Sequence, residues 1–337
     1  MQPHPARTRD ELKSTEQSAS SSQPLPVIRI LAVIVLYKHT PVTSVSSLTL
    51  QQALAAVDRK RLDLRILFYD NTTGGQDPGP LPEGALYEAC PENLGLSQAY
   101  NRALEIAACE GADWLLTLDQ DSTLPANFLS ELVSAIDRVS GDVTIAAVVP
   151  QIMGDGRMLS PNYYFLKTFP RYFPTGFTGT YPDTYAFNSA STLRVKALQE
   201  VGGYSTLFNF DNSDAYIYRQ LHLHKKRVFV AGSIQVEHDF SLLKMNERIT
   251  FDRYRNLVEA GGAFWDMEFG IFAGMYHTAS LVYRLFNHWR RGDAAFFRQV
   301  TLSILKKRLF HSRKSRIATW KASKEIASHD LPTGAGK

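Results

Sequence analysis

Eight consecutive apolar residues, Ile30 to Tyr37 (ILAVIVLY), form the greasiest run of this 337-residue chain. The run is far short of the roughly 20 residues a membrane-spanning helix needs, and it is rich in β-branched side chains, so it predicts a buried first strand. The pattern then alternates. A helix is expected over 44–57, strands over 64–69 and 85–87, a helix over 97–109, a strand over 113–118 and a helix over 127–138. Such alternation argues for a largely parallel sheet covered on both faces, and sheets of that kind bind ligands at the carboxyl ends of their strands. The polar residues after each strand are therefore where chemistry is sought. No Gly-x-Gly-x-x-Gly and no Gly-Lys-Ser/Thr phosphate loop follows any of these strands.

Beyond 140 the character changes. Residues 161–185 are irregular and rich in Tyr and Phe, a helix is expected near 194–201, an acidic helix start near 211–222 and a strand near 227–230. From about 245 to 325 the chain reads as two or three helices broken at Gly261-Gly262 and Gly292-Asp293. The formal net charge of +4 is too balanced for a protein whose main task is coating nucleic acid. Its distribution is uneven. Between Arg284 and Glu325 stand twelve Lys/Arg against two acids, Asp293 and Glu325, a net of +10, which leaves −6 for the remainder. Two cysteines, Cys90 and Cys109, lack metal-ligand spacing and suggest no disulfide framework. Residues 1–26, with four prolines and a serine-rich run, predict a disordered arm, and 326–337 a disordered tail. No apolar stretch of signal-peptide type precedes Val27, so a cytoplasmic protein is expected, with peripheral contact at the inner face of the cytoplasmic membrane as one reading of its basic C-terminal segment.

Five groups of residues could carry chemistry. Asp70 and Asn71 end the second strand and could bond a base or sugar edge, although Asp and Asn also open ordinary turns before Gly-Gly. In Asn93-Leu94-Gly95-Leu96-Ser97, Ser97 could cap a helix whose free N–H groups face an anion, or simply cap it. Leu118-Asp119-Gln120-Asp121-Ser122 breaks an apolar strand into two carboxylates that could hold a hard divalent ion shared with phosphate oxygens. Asp211 and Asp214 lie about one helical turn apart, where one could act as a general base or both could favour a helix N-terminus. His238 follows a short strand, where a lone imidazole is usually structural.

Taken in order, Tyr69-Asp70-Asn71, Asn93 to Ser97 with Asn101, Leu118 to Ser122, Val201-Gly202-Gly203, Asp211 with Asp214, and Glu237-His238 resemble the family 2 glycosyltransferases over about 28–260. Leu-Asp-Gln-Asp-Ser with Pro125, and Arg253-Tyr254-Arg255-Asn256, look most like the rhamnosyltransferase branch that uses a deoxythymidine-diphosphate sugar. The resemblance implies a GT-A fold: α/β, with a Rossmann-like mixed sheet for the nucleotide sugar (27–126), a fused acceptor half (127–245), and here C-terminal helices (246–325). It implies Mg²⁺ or Mn²⁺ held by Asp119, Asp121 and His238. It implies a nucleotide-sugar site formed by Tyr37, Asp70, Asn71, Asn93, Gly95, Ser97, Asp119 and Arg255, an acceptor side of Asn188, Ser189, Asp211 and Tyr216, and Asp214 as the base of an inverting transfer to a glycan or lipid-linked acceptor in bacterial surface polysaccharide synthesis. Donors linked to uridine or guanosine diphosphate, and an inactive nucleotide-sugar-binding scaffold, are the alternatives.

One departure from the family pattern stands out. Where relatives carry a second acid two residues after the base, this chain has Tyr216, which donates a hydrogen bond but supplies no carboxylate at pH 7. The basic C-terminal segment reads in two ways: an amphipathic surface that meets anionic lipid through Lys306, Lys307, Arg308, Arg313, Lys314 and Arg316, or helices packed on the body with a solvated basic face.

Overall fold

The computed structural model describes residues 26–165, 169–238, 250–291 and 295–329. Most of the expected N-terminal arm, the end of the expected tail and the Gly292-Asp293 break lie outside these residues. The first elements are β1 (Ile28–Leu36), α1 (Val45–Ala56), β2 (Leu62–Asp70), β3 (Leu86–Ala89), α2 (Leu96–Cys109), β4 (Trp114–Asp119), β5 (Ser122–Thr123) and α3 (Phe128–Val139). Next come β6 (Ile145–Gly154), β7 (Arg157–Ser160), β8 (Asn162–Phe165), β9 (Phe169–Tyr172), β10 (Gly179–Thr180), β11 (Thr184–Tyr185), β12 (Ser191–Arg194), α4 (Val195–Glu200), a 3-10 turn (Thr206–Phe208), α5 (Ser213–Leu223) and β13 (Arg227–His238). The helices α6 (Phe251–Glu268), α7 (Ile271–Arg291), α8 (Ala295–Phe310) and α9 (Arg313–His329) complete the described chain.

The main sheet has the order β10-β13-β6-β12-β4-β1-β2-β3. The strands β4, β1, β2 and β3 run parallel, and β12 enters antiparallel between β4 and β6. The sheet is thus mixed, as expected. Ala32 to Ile34 of β1 are fully buried because both faces are covered: α2, α4 and α5 pack on one, α1 and α3 on the other. Each such Ile or Val contributes roughly 1.5–3 kcal/mol of burial, which is why this strand reads so plainly in the sequence.

Three expectations need correction. The region 161–185 is not wholly irregular: β8, β9 and β11 form a small antiparallel sheet in the order β11-β8-β9. The strand expected over 227–230 continues to His238, and its partner β6 carries Pro150 opposite the register shift between Val230 and Gln235. Proline donates no ladder hydrogen bond and is tolerated at such an irregularity. Gly261-Gly262 does not break a helix either, since both lie inside α6. A Cβ at Gly262 would stand 3.6 Å from His277 Nε2, so this glycine sits where α6 and α7 approach closely.

The C-terminal helices are bolted together through one buried carboxylate. Arg308 binds both oxygens of Asp266 at 3.1 and 3.0 Å, and Arg316 binds them at 2.7 and 2.9 Å. Arg313 donates to the carbonyls of Asp266 and Phe269, at the end of α6, at 2.6 and 2.8 Å. Three of the six cations expected to form a basic surface therefore hold internal groups. Tyr254, between the two arginines of the basic and aromatic run, is buried with its hydroxyl against His288 Nε2 at 2.8 Å and Thr301 Oγ1 at 3.0 Å. The last helix runs to His329, into the segment expected to be a tail.

Candidate active site

The carboxyl ends of β1, β2 and β4 are cross-tied by short polar links. Tyr37 N donates to Gln120 Oε1 at 2.7 Å, and Lys38 N donates to Thr72 Oγ1 at 2.7 Å. The serines that open α1 clamp the turn after β4: Ser44 Oγ donates to the Gln120 carbonyl at 2.9 Å, and Ser46 Oγ accepts from Ser122 N at 2.9 Å while also contacting the Asp119 carbonyl. This clamp fixes where the two carboxylates of Asp119-Gln120-Asp121 point. Asp119 is braced further, Ser189 Oγ donating to one carboxylate oxygen and the Tyr100 hydroxyl to the other at 3.4 Å.

A cleft of about 570 Å³ opens above these strand ends. Its walls include Tyr37, Asn71, Asn93, Asp119, Asp121 and His238, which the sequence nominated from five separate stretches. The imidazole of His238, 8% exposed, lies with Nδ1 3.6 Å from Asp121 Oδ1, and the Asp121 side chain is 52% exposed. Ser122 Oγ stands 3.1 Å from the same Nδ1. Asn71 Oδ1 is buried in the wall without a hydrogen-bond partner. Buried polar atoms rarely stay unpaired, so this one is suited to a polar group of a ligand.

Other nominated residues support the site from behind. Asp70 is not in the cleft wall, because it accepts from the Tyr87 hydroxyl at 2.6 Å and from Thr72 N at 2.8 Å, which turn it under the sheet edge. The start of α2 is not a free anion site. Leu96 N and Ser97 N both point at the Asn209 carbonyl, at 2.6 and 3.2 Å, and Ser97 Oγ donates to the Phe208 carbonyl at 2.8 Å. A Cβ at Gly95, whose φ is +92°, would stand 2.7 Å from that same Asn209 oxygen, so glycine is required for the helix end to meet the loop. Asn101 and Gly203, two further motif positions, form a staple: Asn101 exchanges hydrogen bonds with the backbone of Tyr204, both at 2.8 Å. Asn188 bridges Ser213 Oγ at 3.0 Å and the Tyr204 hydroxyl at 3.2 Å, and so anchors the start of α5.

Asp211 and Asp214 do not share a helix face. Asn212, in the left-handed conformation, precedes α5, so Asp211 lies in the turn and Asp214 in the first turn of the helix. Asp211 is held by Arg253 through both carboxylate oxygens. Asp214 lies where its charge is felt by Tyr100, Tyr164, Tyr204 and Tyr218. Desolvation, with Asp119 and Asp211 as like charges nearby, pushes its carboxyl up to about 6. Tyr216 packs its ring on Phe208, centroids 5.7 Å apart, in a cluster that the C-terminal helices complete. An aromatic ring fits that covered position where an acid would be buried against apolar side chains.

Arg255 faces away from the cleft, with its guanidinium over the Phe251 ring at 5.9 Å and 3.5 Å from Asp252. Arg253, Asn256 and Ala260 take its place in the wall. Their i, i+3, i+7 spacing along α6 was the available signal, since Arg255 falls on another face of the same helix. Trp320 and Lys324, from α9, also line the cleft, and no local pattern in the sequence points to them. Among the described residues no three His, Cys, Asp or Glu side chains converge as a ready-made metal site.

Residues 47–202 match the family model described as glycosyl transferase family 2. No curated protein matches the sequence. Among solved structures, S. aureus TarS is 13% identical, with 82% of this chain and 55% of that chain covered and a TM-score of 0.47. Its 1–349 fragment gives 13% identity, 90% and 91% coverage and a TM-score of 0.45. The structure of GalNAc-T7 with UDP, GalNAc and Mn²⁺ gives 15% identity, 91% and 58% coverage and a TM-score of 0.49. The chain thus spans little more than half the length of the first of these TarS chains and of the GalNAc-T7 chain. The family model covers β4, the turn that presents Asp119 and Asp121, and Asn101 of the staple but not its partner Tyr204, and on that match residues 47–202 belong to glycosyl transferase family 2.

Proposed function

We propose that this protein is an inverting, divalent-metal-dependent glycosyltransferase that moves a sugar from a nucleoside diphosphate to a hydroxyl of a glycan or lipid-linked acceptor. The observation that carries the reading is the cleft at the strand ends, with Asp119, Asp121 and His238 in one wall. A thymidine-linked donor, with rhamnose as the sugar, rests on the resemblance of Leu118 to Ser122 and of Arg253 to Asn256. In this scheme Asp214 accepts the proton of the acceptor hydroxyl while that oxygen bonds to the anomeric carbon. The bond from the anomeric carbon to the diphosphate oxygen breaks on the opposite face, and the nucleoside diphosphate leaves with its electron pair. A base that titrates near 6 is largely ionised at neutral pH and can still hold a proton, as general base catalysis requires.

The residues fit a divalent ion. Two carboxylates and an imidazole are suitable ligands, Asp121 stands beside His238 and open to the cleft, and Mg²⁺ is commonly held by one or two carboxylates plus substrate phosphates rather than by a full protein cage. Asp121 and His238, with Asp119 behind, would hold Mg²⁺ or Mn²⁺, whose chemistry is to neutralise charge on the departing diphosphate. Asn71 and Tyr37 offer polar groups to the nucleotide, and the braces from Ser46 and Ser189 keep the carboxylates aimed without reorganisation.

The test is thermal stabilisation by thymidine, uridine and guanosine diphosphates with and without Mn²⁺, followed by transfer assays with the matching sugars. A metal-dependent shift in the thymidine series is the expected result. A shift confined to another nucleotide would discard the donor, and no shift with any of them would discard the reading.

The same reading includes contact with an anionic membrane surface. Helices α7 and α8 contain no Asp or Glu, and α7 exposes Phe272, Met275, Tyr283, Phe286 and Trp289 along one side. An apolar aromatic face with flanking cations suits the interface of an anionic bilayer, and among the described residues no helix is long and apolar enough to cross one. Co-sedimentation with phosphatidylglycerol vesicles is expected, and is expected to be lost in Phe286→Glu with Trp289→Glu. Retention of vesicle binding by that double variant would overturn the assignment of the face.

A further inference from the structure

The last helix reaches back across the molecule. Trp320 and Lys324 of α9 line the same cleft as Asp119, Asp121 and His238, although more than eighty residues of sequence separate them from the nearest of these. Trp320 stacks on Phe208, with centroids 6.2 Å apart and planes 29° from parallel, in the loop that receives the start of α2. Lys324 Nζ lies 4.3 Å above the Trp320 ring. The helix is held firmly in this position, since Arg313 and Arg316 tie its first turn to the buried end of α6.

We propose that Lys324 binds the diphosphate of the nucleotide-sugar donor, with Trp320 as the residue that positions its ammonium over the cleft. The inference rests on the glycosyltransferase reading above and adds to it a donor contact from outside the matched family region. Three observations carry it. First, the two cations in the cleft wall differ: Arg253 is committed to both oxygens of Asp211, whereas Lys324 has no carboxylate at ion-pair distance among the described residues. Second, Lys324 is partly withdrawn from water, which lowers its pKa by desolvation and makes an unpaired ammonium costly. Third, the Trp320 ring beneath Lys324 lines the cleft itself, and its buried Nε1 has no hydrogen-bond acceptor among the described residues, so no polar group there holds this ring in place of its packing on Phe208. A cation over an indole face is oriented by the ring quadrupole and gives up little further freedom when it meets a phosphate. The cleft would then grip the donor between its metal-binding wall and a helix that the sequence places last.

The test uses the full chain with Mn²⁺ and three probes: the nucleoside diphosphate, the nucleoside monophosphate and the nucleoside. Lys324→Met is expected to lose roughly ten- to a hundredfold in diphosphate affinity, the effect of one charge-assisted hydrogen bond, with nucleoside affinity unchanged. In transfer assays the KM for the donor rises while the KM for the acceptor holds, and Lys324→Arg recovers most of the loss. Unchanged melting of the ligand-free variant separates this from misfolding. Wild-type affinity in Lys324→Met, or a rise in acceptor KM alone, overturns the proposal and leaves the glycosyltransferase reading in place. A wild-type protein that binds no nucleoside diphosphate overturns both.

Discussion

Asp214→Asn is expected to cut sugar transfer by about 10²- to 10⁴-fold, the usual contribution of a positioned general base, and at the same time to make the protein more stable at neutral pH. The two effects have one cause. Desolvation, with Asp119 and Asp211 as like charges nearby, raises the carboxyl from 3.8 to about 6, so the folded protein binds a proton there more tightly than the unfolded chain does. Stability therefore falls as pH rises from about 4 to about 6 and stays lower above that, which is the reverse of a salt-bridged Asp. The amide keeps the hydrogen bond from Ala215 N, 2.7 Å in the wild type, and never ionises. The variant should thus match the wild type near pH 3.5 and exceed it above pH 6 by on the order of 1–3 kcal/mol. Wild-type turnover should fall as pH drops through about 6, the value to which burial raises Asp214. Melting curves and transfer rates across pH 4–8 read both effects. An Asn variant that still transfers sugar, or that melts below the wild type at pH 8, would remove Asp214 from the role of base.

Asp121→Ala should erase the metal-dependent part of nucleoside diphosphate binding. At a ligand concentration 100 times its dissociation constant the wild type gains about 2.7 kcal/mol, and the variant should gain no more with Mn²⁺ than without it. Turnover should fall by roughly 10²- to 10³-fold, in line with loss of one preorganised contact to developing charge. Asp121 is the better target than Asp119 because its side chain is half exposed beside His238, whereas Asp119 is tied to Ser189 and Tyr100 and its loss would disturb the strand end itself. Ligand-free Asp121→Ala should melt within about 0.5 kcal/mol of the wild type, as exposed substitutions usually do. A Mn²⁺-dependent shift of wild-type size in this variant would contradict its role as a ligand.

Several motif residues resembled binding groups in the sequence but serve the scaffold. Gly95, Ser97, Asn101 and Gly203 were legible as a pattern because the meeting of α2 with the Phe208-Asn209 loop and with Tyr204 demands those residues. A stretch of sequence does not say whether a serine hydroxyl at a helix start faces an anion or a carbonyl from residue 208. Asp70 and Arg255 show the same limit: each lies next to a cleft residue, Asn71 or Asn256, yet Asp70 turns under the sheet edge and Arg255 falls on another helix face.

What the sequence by itself determined is what short-range physics writes into consecutive residues. The buried strand at Ile30, the alternation of strand and helix, and the carboxylates that break β4 at Asp119 and Asp121 all follow from burial periodicity and from polar groups at strand ends. The tertiary structure decided what depends on which distant surfaces meet. It paired Asp211 with Arg253, desolvated Asp214 beside two like charges so that its proton is held to about 6, turned Arg308 and Arg316 inward onto Asp266, and brought Trp320 and Lys324 to the cleft. Those outcomes depend on desolvation and charge pairing between residues far apart in the chain, and only the folded arrangement sets both.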